Sequence, residues 1–148
     1  MPVTPNAILA LDVGDKRVGV AVASLMARLP RPVITLNRDD TLFTAIENIA
    51  DIEAVGALVV GFPRGMQGQQ TKQTEAIMDF TSELRQHFAL PIVMQDETLT
   101  SKHAEAELQG RGRPYDKGAI DALAATYILD DFLRDHPDLH DPQELEKL

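Results

Sequence analysis

Cysteine is absent from the 148 residues. That excludes disulfides, zinc–thiolate sites, iron–sulfur clusters and thiol nucleophiles. Tryptophan is absent as well, and two tyrosines do not make a base-stacking platform by themselves. No apolar run approaches the roughly 18 residues of a membrane span. The opening Met1-Pro2-Val3-Thr4-Pro5 lacks the pattern of a signal peptide. The expectation is a soluble protein of a reducing compartment, the cytoplasm, with no membrane partner.

Positive charge is also scarce, with 14 Lys+Arg against 23 Asp+Glu and a net −9. A total of that sign ordinarily argues against a nucleic-acid partner. Its distribution weakens the argument. Residues 1–74 balance seven basic against seven acidic residues, so the whole excess lies in residues 75–148. The stretch 130–148 alone carries seven acids and two bases. Net charge therefore neither excludes nor supports a polyanionic partner.

What is present suits a folded α/β chain. Hydrophobic residues make up 44%, enough for one packed core at this length. Ile8–Gly14 is almost unbroken apolar, as expected of a central strand buried on both faces. Gly14-Asp15-Lys16 signals a turn into a second strand, Arg17–Ala23, so the pair reads as an antiparallel hairpin. Further strands are expected at Pro32–Leu36, Val55–Gly61 and Pro91–Gln95. Helices are expected at Thr41–Ile52, Gln69–Phe88, Thr100–Gln109 and Asp116–Leu133. The order implies a five-stranded mixed sheet, three antiparallel strands and then parallel ones, with helices on both faces. Residues 1–134 form the expected domain, and 135–148 read as an acidic, flexible C-terminal tail.

Three carboxylates sit where carboxylates are costly. Asp12 shares a face with Ile8 and Ala10 near the end of its strand. Asp96 and Glu97 end the fifth strand, and alternation lets only one of them share the side of Asp12. Asp121 stands on the stripe of Ala124, Ala125 and Ile128. Each alone could be structural: a turn cap, a strand-end surface charge, a first-turn helix acid. Together at the carboxyl end of a sheet, Asp12, Glu97 and Asp121 could hold Mg²⁺ or Mn²⁺, hard ions that favour oxygen ligands. Two such ions clamp the attacking and leaving oxygens of a phosphodiester displacement. Lys16, Arg17, Arg64, Lys102, Arg111, Arg113 and Lys117 fall mostly in connections near this end and are candidate nucleic-acid contacts. The loop Gly61–Gly68 follows a strand and precedes a helix, where amides could meet a phosphate. It fits neither the Walker nor the dinucleotide-binding pattern.

Four segments in this order, ILALDVGDKRVGVAVAS, ALVVGFPRGMQGQQTKQ, LPIVMQDETLTSKHAEAEL and KGAIDALAATYIL, resemble the bacterial YqgF family, also called RuvX. Its members are described as pre-16S rRNA nucleases and as Holliday junction resolvases. The resemblance runs from about residue 8 to residue 133. It implies an RNase H-like fold and a hydrolase that matures the 5′ end of 16S rRNA, with resolution of branched DNA as the alternative. By motif position it implies catalytic and metal-binding roles for Asp12, Glu97 and Asp121. Implied partners are pre-rRNA and ribosomal particles, and monomer and dimer are both compatible. Two departures affect substrate contacts. Asp96-Glu97-Thr98-Leu99-Thr100-Ser101 lacks the family's usual arginine after the glutamate. Arg64-Gly65 replaces its usual apolar and polar pair.

Two other readings compete. Asp12-Val13-Gly14-Asp15-Lys16 also resembles the phosphate turn of the sugar-kinase and actin-like ATPases, which need two such domains. A non-catalytic RNA-binding assembly factor would keep the fold, but three intact acids argue against it. Fold by itself does not choose among these.

Overall fold

The computed structural model describes residues 4–63, 72–97, 100–112 and 117–147. Five strands, β1 (Ala7–Val13), β2 (Arg17–Ser24), β3 (Arg31–Asn37), β4 (Val55–Pro63) and β5 (Ile92–Glu97), form one sheet in the order β3-β2-β1-β4-β5. β2 pairs antiparallel with β1 and β3, while β4 pairs parallel with β1 and β5. This is the expected mixed sheet. The β1–β2 hairpin closes where the Gly14 N–H donates to the Arg17 carbonyl at 2.8 Å. β5 runs to Glu97 rather than stopping at Gln95, because its pairing with β4 continues to Pro63↔Glu97.

Helices α1 (Leu42–Ile52) and α2 (Lys72–His87) cover one face. Their buried stripes, Leu42, Ile46 and Ala50 on α1 and Ile77, Phe80, Thr81 and Leu84 on α2, meet Leu9, Leu11, Val18, Val20, Leu58 and Val60 of the sheet. α4 (Lys117–Asp135) lies on the other face. There Ala125, Ile128, Leu129 and Phe132 pack on Ile8, Ala10, Ala21, Ala57 and Val59. α3 (Thr100–Gly110) reaches the sheet only through α4, by way of Ala104, Leu108, Leu123 and Ala124. The parallel strands at the centre are buried on both sides, which explains their unbroken apolar sequences.

The small residues of β2 decide how closely α4 approaches. Gly19, Ala21 and Ala23 alternate with Val18, Val20 and Val22, so one face of the strand is nearly flat. A Cβ built on Gly19 would stand 2.0 Å from the Asp121 carbonyl oxygen. Only glycine lets the first turns of α4 rest directly on the strand.

The C-terminal segment differs from the expected flexible tail. Residues 142–147 form a short 3₁₀ helix, and Leu139 (7% exposed) and Leu145 (2%) join the core on the α4 face. The Arg28 guanidinium donates to the carbonyls of Leu133, His136 and Leu139 at 2.8–2.9 Å. Apolar residues spaced among the acids hold the segment down, while the acids themselves stay exposed.

Candidate active site

Strand parity places the acids. Asp12 follows Ile8 and Ala10 on the α4 face of β1, and its cross-strand partner on β2 is Gly19. Since the backbone of Asp121 rests on Gly19, the first turns of α4 deliver Asp121 beside Asp12. Their charges are close enough to interact. Burial, and then the Asp121 charge, push the Asp12 carboxyl up to about 7. Asp121 is held in turn by Arg17, whose Nε donates to its Oδ2 at 2.8 Å. Thr35 of β3 also anchors this end of α4 by donating its hydroxyl to the Gly118 carbonyl.

Glu97 is the carboxylate of its pair that faces α4. It is 7% exposed, whereas Asp96 is exposed, as alternation requires. Gln95, two residues earlier on the same face, donates to Asp135 of α4 at 3.0 Å. Glu97 stands two strands from Asp12 and further along the sheet, about 9–10 Å away in the lateral direction alone. The structure therefore brings Asp12 and Asp121 together and puts Glu97 on the same face, set apart from them. Among the described residues, no three His, Asp or Glu side chains are close enough to hold one metal ion.

A pair of carboxylates still fits a hard divalent ion. Magnesium is commonly bound through one or two carboxylates plus waters and substrate phosphate rather than by an all-protein cage. The raised proton affinity of Asp12 is the cost first of burying a charge and then of a like charge beside it, and a cation there would offset both.

The candidate basic contacts divide. Lys16 is exposed in the hairpin turn beside the acids. Arg17 binds Asp121 through Nε while its side chain stays 37% exposed, so it organises the acid pair. Arg111 is exposed at the end of α3 and ion-paired with Glu107 at 3.6 Å. Arg64 and Arg113 lie outside the described residues, as do the side chains of Lys102 and Lys117. Sequence reasoning missed Gly19 and the pairing role of Arg17. The small-large alternation of Arg17-Val18-Gly19-Val20-Ala21-Val22-Ala23 was the available signal for a close helix.

The model of the RuvX family, described as Holliday junction resolvase, matches residues 6–135. A protein of Thermoanaerobacter pseudethanolicus named "Putative pre-16S rRNA nuclease" is 35% identical over 131 residues, covering 85% of this chain and 94% of that protein. A Burkholderia mallei protein of the same name is 38% identical over 137 residues, covering 90% and 92%. Among solved structures, Thermus thermophilus RuvC bound to a Holliday junction substrate superposes with a TM-score of 0.54 at 14% identity. That match covers 88% of this chain and 96% of RuvC. So distant a likeness shows the fold alone, and it is the RNase H-like fold. By its sequence match over nearly the whole chain, the protein belongs to the RuvX family.

Proposed function

We propose that the protein is a metal-dependent endonuclease that hydrolyses phosphodiesters in pre-16S rRNA, maturing its 5′ end in the cytoplasm. The observation that carries this reading is the meeting of Asp12 and Asp121 at the carboxyl end of β1, where open α/β sheets bind ligands. Family membership supports the nuclease class, and the names of the relatives support RNA as substrate.

Asp12 and Asp121 would hold a Mg²⁺ or Mn²⁺ ion through their carboxylate oxygens, with Glu97 on the same face of the sheet but set apart. When bound, such an ion supplies Lewis-acid polarisation of the phosphate and a more acidic water. The chain itself supplies orientation. Arg17 fixes the direction of the Asp121 carboxylate, and Gly19 sets the height of α4 above the sheet. Lys16, at the turn, offers an exposed ammonium to the polyanion.

The family description favours a second substrate, branched DNA. One assay decides between them. The purified protein is given pre-rRNA leader RNA, free or in a ribosomal particle, and a four-way DNA junction, each with Mg²⁺ or Mn²⁺. RNA cleavage that is lost in the Asp12→Asn protein is expected. Cleavage of the junction alone would replace the RNA reading with resolution. Equal cleavage by wild type and Asp12→Asn would remove the proposed chemistry.

A further inference from the structure

On the other side of β1 from the acids lies a cavity of about 740 Å³, lined by Val13, Gly14, Asp15, Arg38, Lys72 and Gln73 among others. Asp12 and Val13 are successive residues, so their side chains leave the strand on opposite faces. The acid pair and the cavity thus flank the same strand end, one under α4 and the other beside the start of α2.

Arg38 gives the cavity its character. Its Nη1 donates to the Gly14 carbonyl at 3.0 Å, and its backbone N–H donates to the Lys16 carbonyl at 3.0 Å. Its guanidinium carbon stands 5.3 Å from the centre of the Phe80 ring. A carbonyl and an aromatic face thus fix the group without neutralising it. Among the described residues, Arg38 has no carboxylate within ion-pair distance. Its neighbour Asp39 is turned to the Thr41 backbone N–H and hydroxyl. A guanidinium oriented by such contacts and left without a counter-ion suits the recognition of phosphate.

Arg38 also lines a second cavity, of about 360 Å³, but Asp39, Asp40 and Glu83 line that one too. Three acids there repel an anion. Among the described residues, the larger cavity sets Arg38 and Lys72 against one acid, Asp15, so it is the side an anion would choose.

We propose that Arg38 and Lys72 hold the backbone phosphate next to the one cleaved, so that the substrate strand bends across the end of β1 from this cavity to the acids. The inference rests on the nuclease reading and adds a substrate subsite to it. It gives Arg38 and Lys72 a role in binding and none in the chemical step.

The test uses full-length protein carrying Lys72→Gln, Arg38→Gln, both together, Arg38→Lys, or Arg134→Gln as a charge control on α4. Binding of a short fluorescein-labelled single-stranded RNA is measured by anisotropy across a salt series in the Asp12→Asn background, and cleavage kinetics in the wild-type background. Each neutralisation should raise KM about two- to fivefold with kcat within about twofold, a size typical of an exposed charge contact. Each should also lower the slope of log affinity against log salt by about 0.7, the value for one phosphate on a single strand. Arg38→Lys should recover part of the affinity, which a purely structural role would not allow. Lys72→Gln, at an exposed helix start, should fold as wild type and so test the subsite even if Arg38→Gln unfolds. Wild-type KM and salt slope in Lys72→Gln and in the double variant would overturn the subsite, as would equal losses in Arg134→Gln. A wild type that neither binds nor cuts nucleic acid would overturn the nuclease reading instead. Normal wild-type cleavage with unaltered variants overturns the subsite alone.

Discussion

Removing the charge of Asp12 separates chemistry from folding. The unfolded chain releases this proton near pH 4, while burial and Asp121 hold it in the folded protein to about 7. Between those values the folded state binds more protons than the unfolded one, so stability falls as pH rises from about 4 and levels off above about 7. Each unit of difference costs about 1.4 kcal/mol, an upper bound for a side chain that keeps some solvent contact. In chelator, Asp12→Asn protein should therefore be about 1–3 kcal/mol more stable than wild type at pH 8, and the gap should close toward pH 4. Urea unfolding at both pH values reads this directly. A gap of equal size at pH 4 and pH 8 would show that Asp12 is not the raised acid. Adding Mg²⁺ at ten times its dissociation constant should stabilise wild type by about 1.4 kcal/mol. Asp12→Asn should lose that gain, and a thermal shift series with and without the ion checks it.

Between β2 and α4 the decisive residue has no side chain. Gly19→Ala puts a carbon against the backbone of Asp121 and Ala122, which cannot swing away as a side-chain tip could. Lifting α4 should cost about 2–4 kcal/mol, as overpacking does, and should move Asp121 off Asp12. Gly110→Ala is the matched control, since nothing stands within 4 Å of its added carbon. It should be neutral or gain up to about 1 kcal/mol of helix propensity. Thermal unfolding and Mg²⁺ affinity of the two variants check this; equal behaviour would mean that α4 does not need Gly19. The same element shows what was readable in the sequence. β1, β2 and β4 announced themselves because Ile8–Leu11, Val18–Val22 and Ala57–Val60 are buried on both faces. The stripe of α2 at Ile77, Phe80, Thr81 and Leu84 was equally plain. Parity along β5 settled in advance that one of Asp96 and Glu97 shares the face of Asp12, and pairing with β4 settled which. The Arg17–Asp121 bond was not legible, because 104 residues separate its ends and only the crossing of α4 over β2 joins them. Leu139 and Leu145 were hidden among acids, whose count suggested a tail.

The distribution of charge in the folded molecule revises what the acidic C-terminus can do. A Cβ on Gly56 would meet Pro142 at 2.9 Å, so the 3₁₀ helix sits at the amino end of β4. Arg28, which binds the carbonyls of this segment, follows β2 at that same end of the sheet. The acid pair is at the opposite end, level with Gly61, five residues further along β4. That is about 16 Å along the strand, beyond the screening length of about 10 Å at 0.1 M salt. Fixed charges at that distance do not compete for phosphate. Neutralising Asp138, Glu144 and Glu146 together, as Asp138→Asn, Glu144→Gln and Glu146→Gln, takes the net charge from −9 to −6 and leaves Leu139, Pro142 and Leu145 in place. RNA affinity should then change by less than about twofold at 0.1 M salt and rise clearly only near 0.01 M, where fields reach about 30 Å. Deleting residues 136–148 is a different experiment. It uncovers two buried leucine sites and strips two carbonyl partners from Arg28, so it should cost about 2–5 kcal/mol of stability. Anisotropy titrations at the two salt concentrations and urea unfolding of both proteins check this division. Marked tightening by the neutralised protein at 0.1 M would place the segment against the RNA path, and a deletion as stable as wild type would show that its leucines carry no weight in the core.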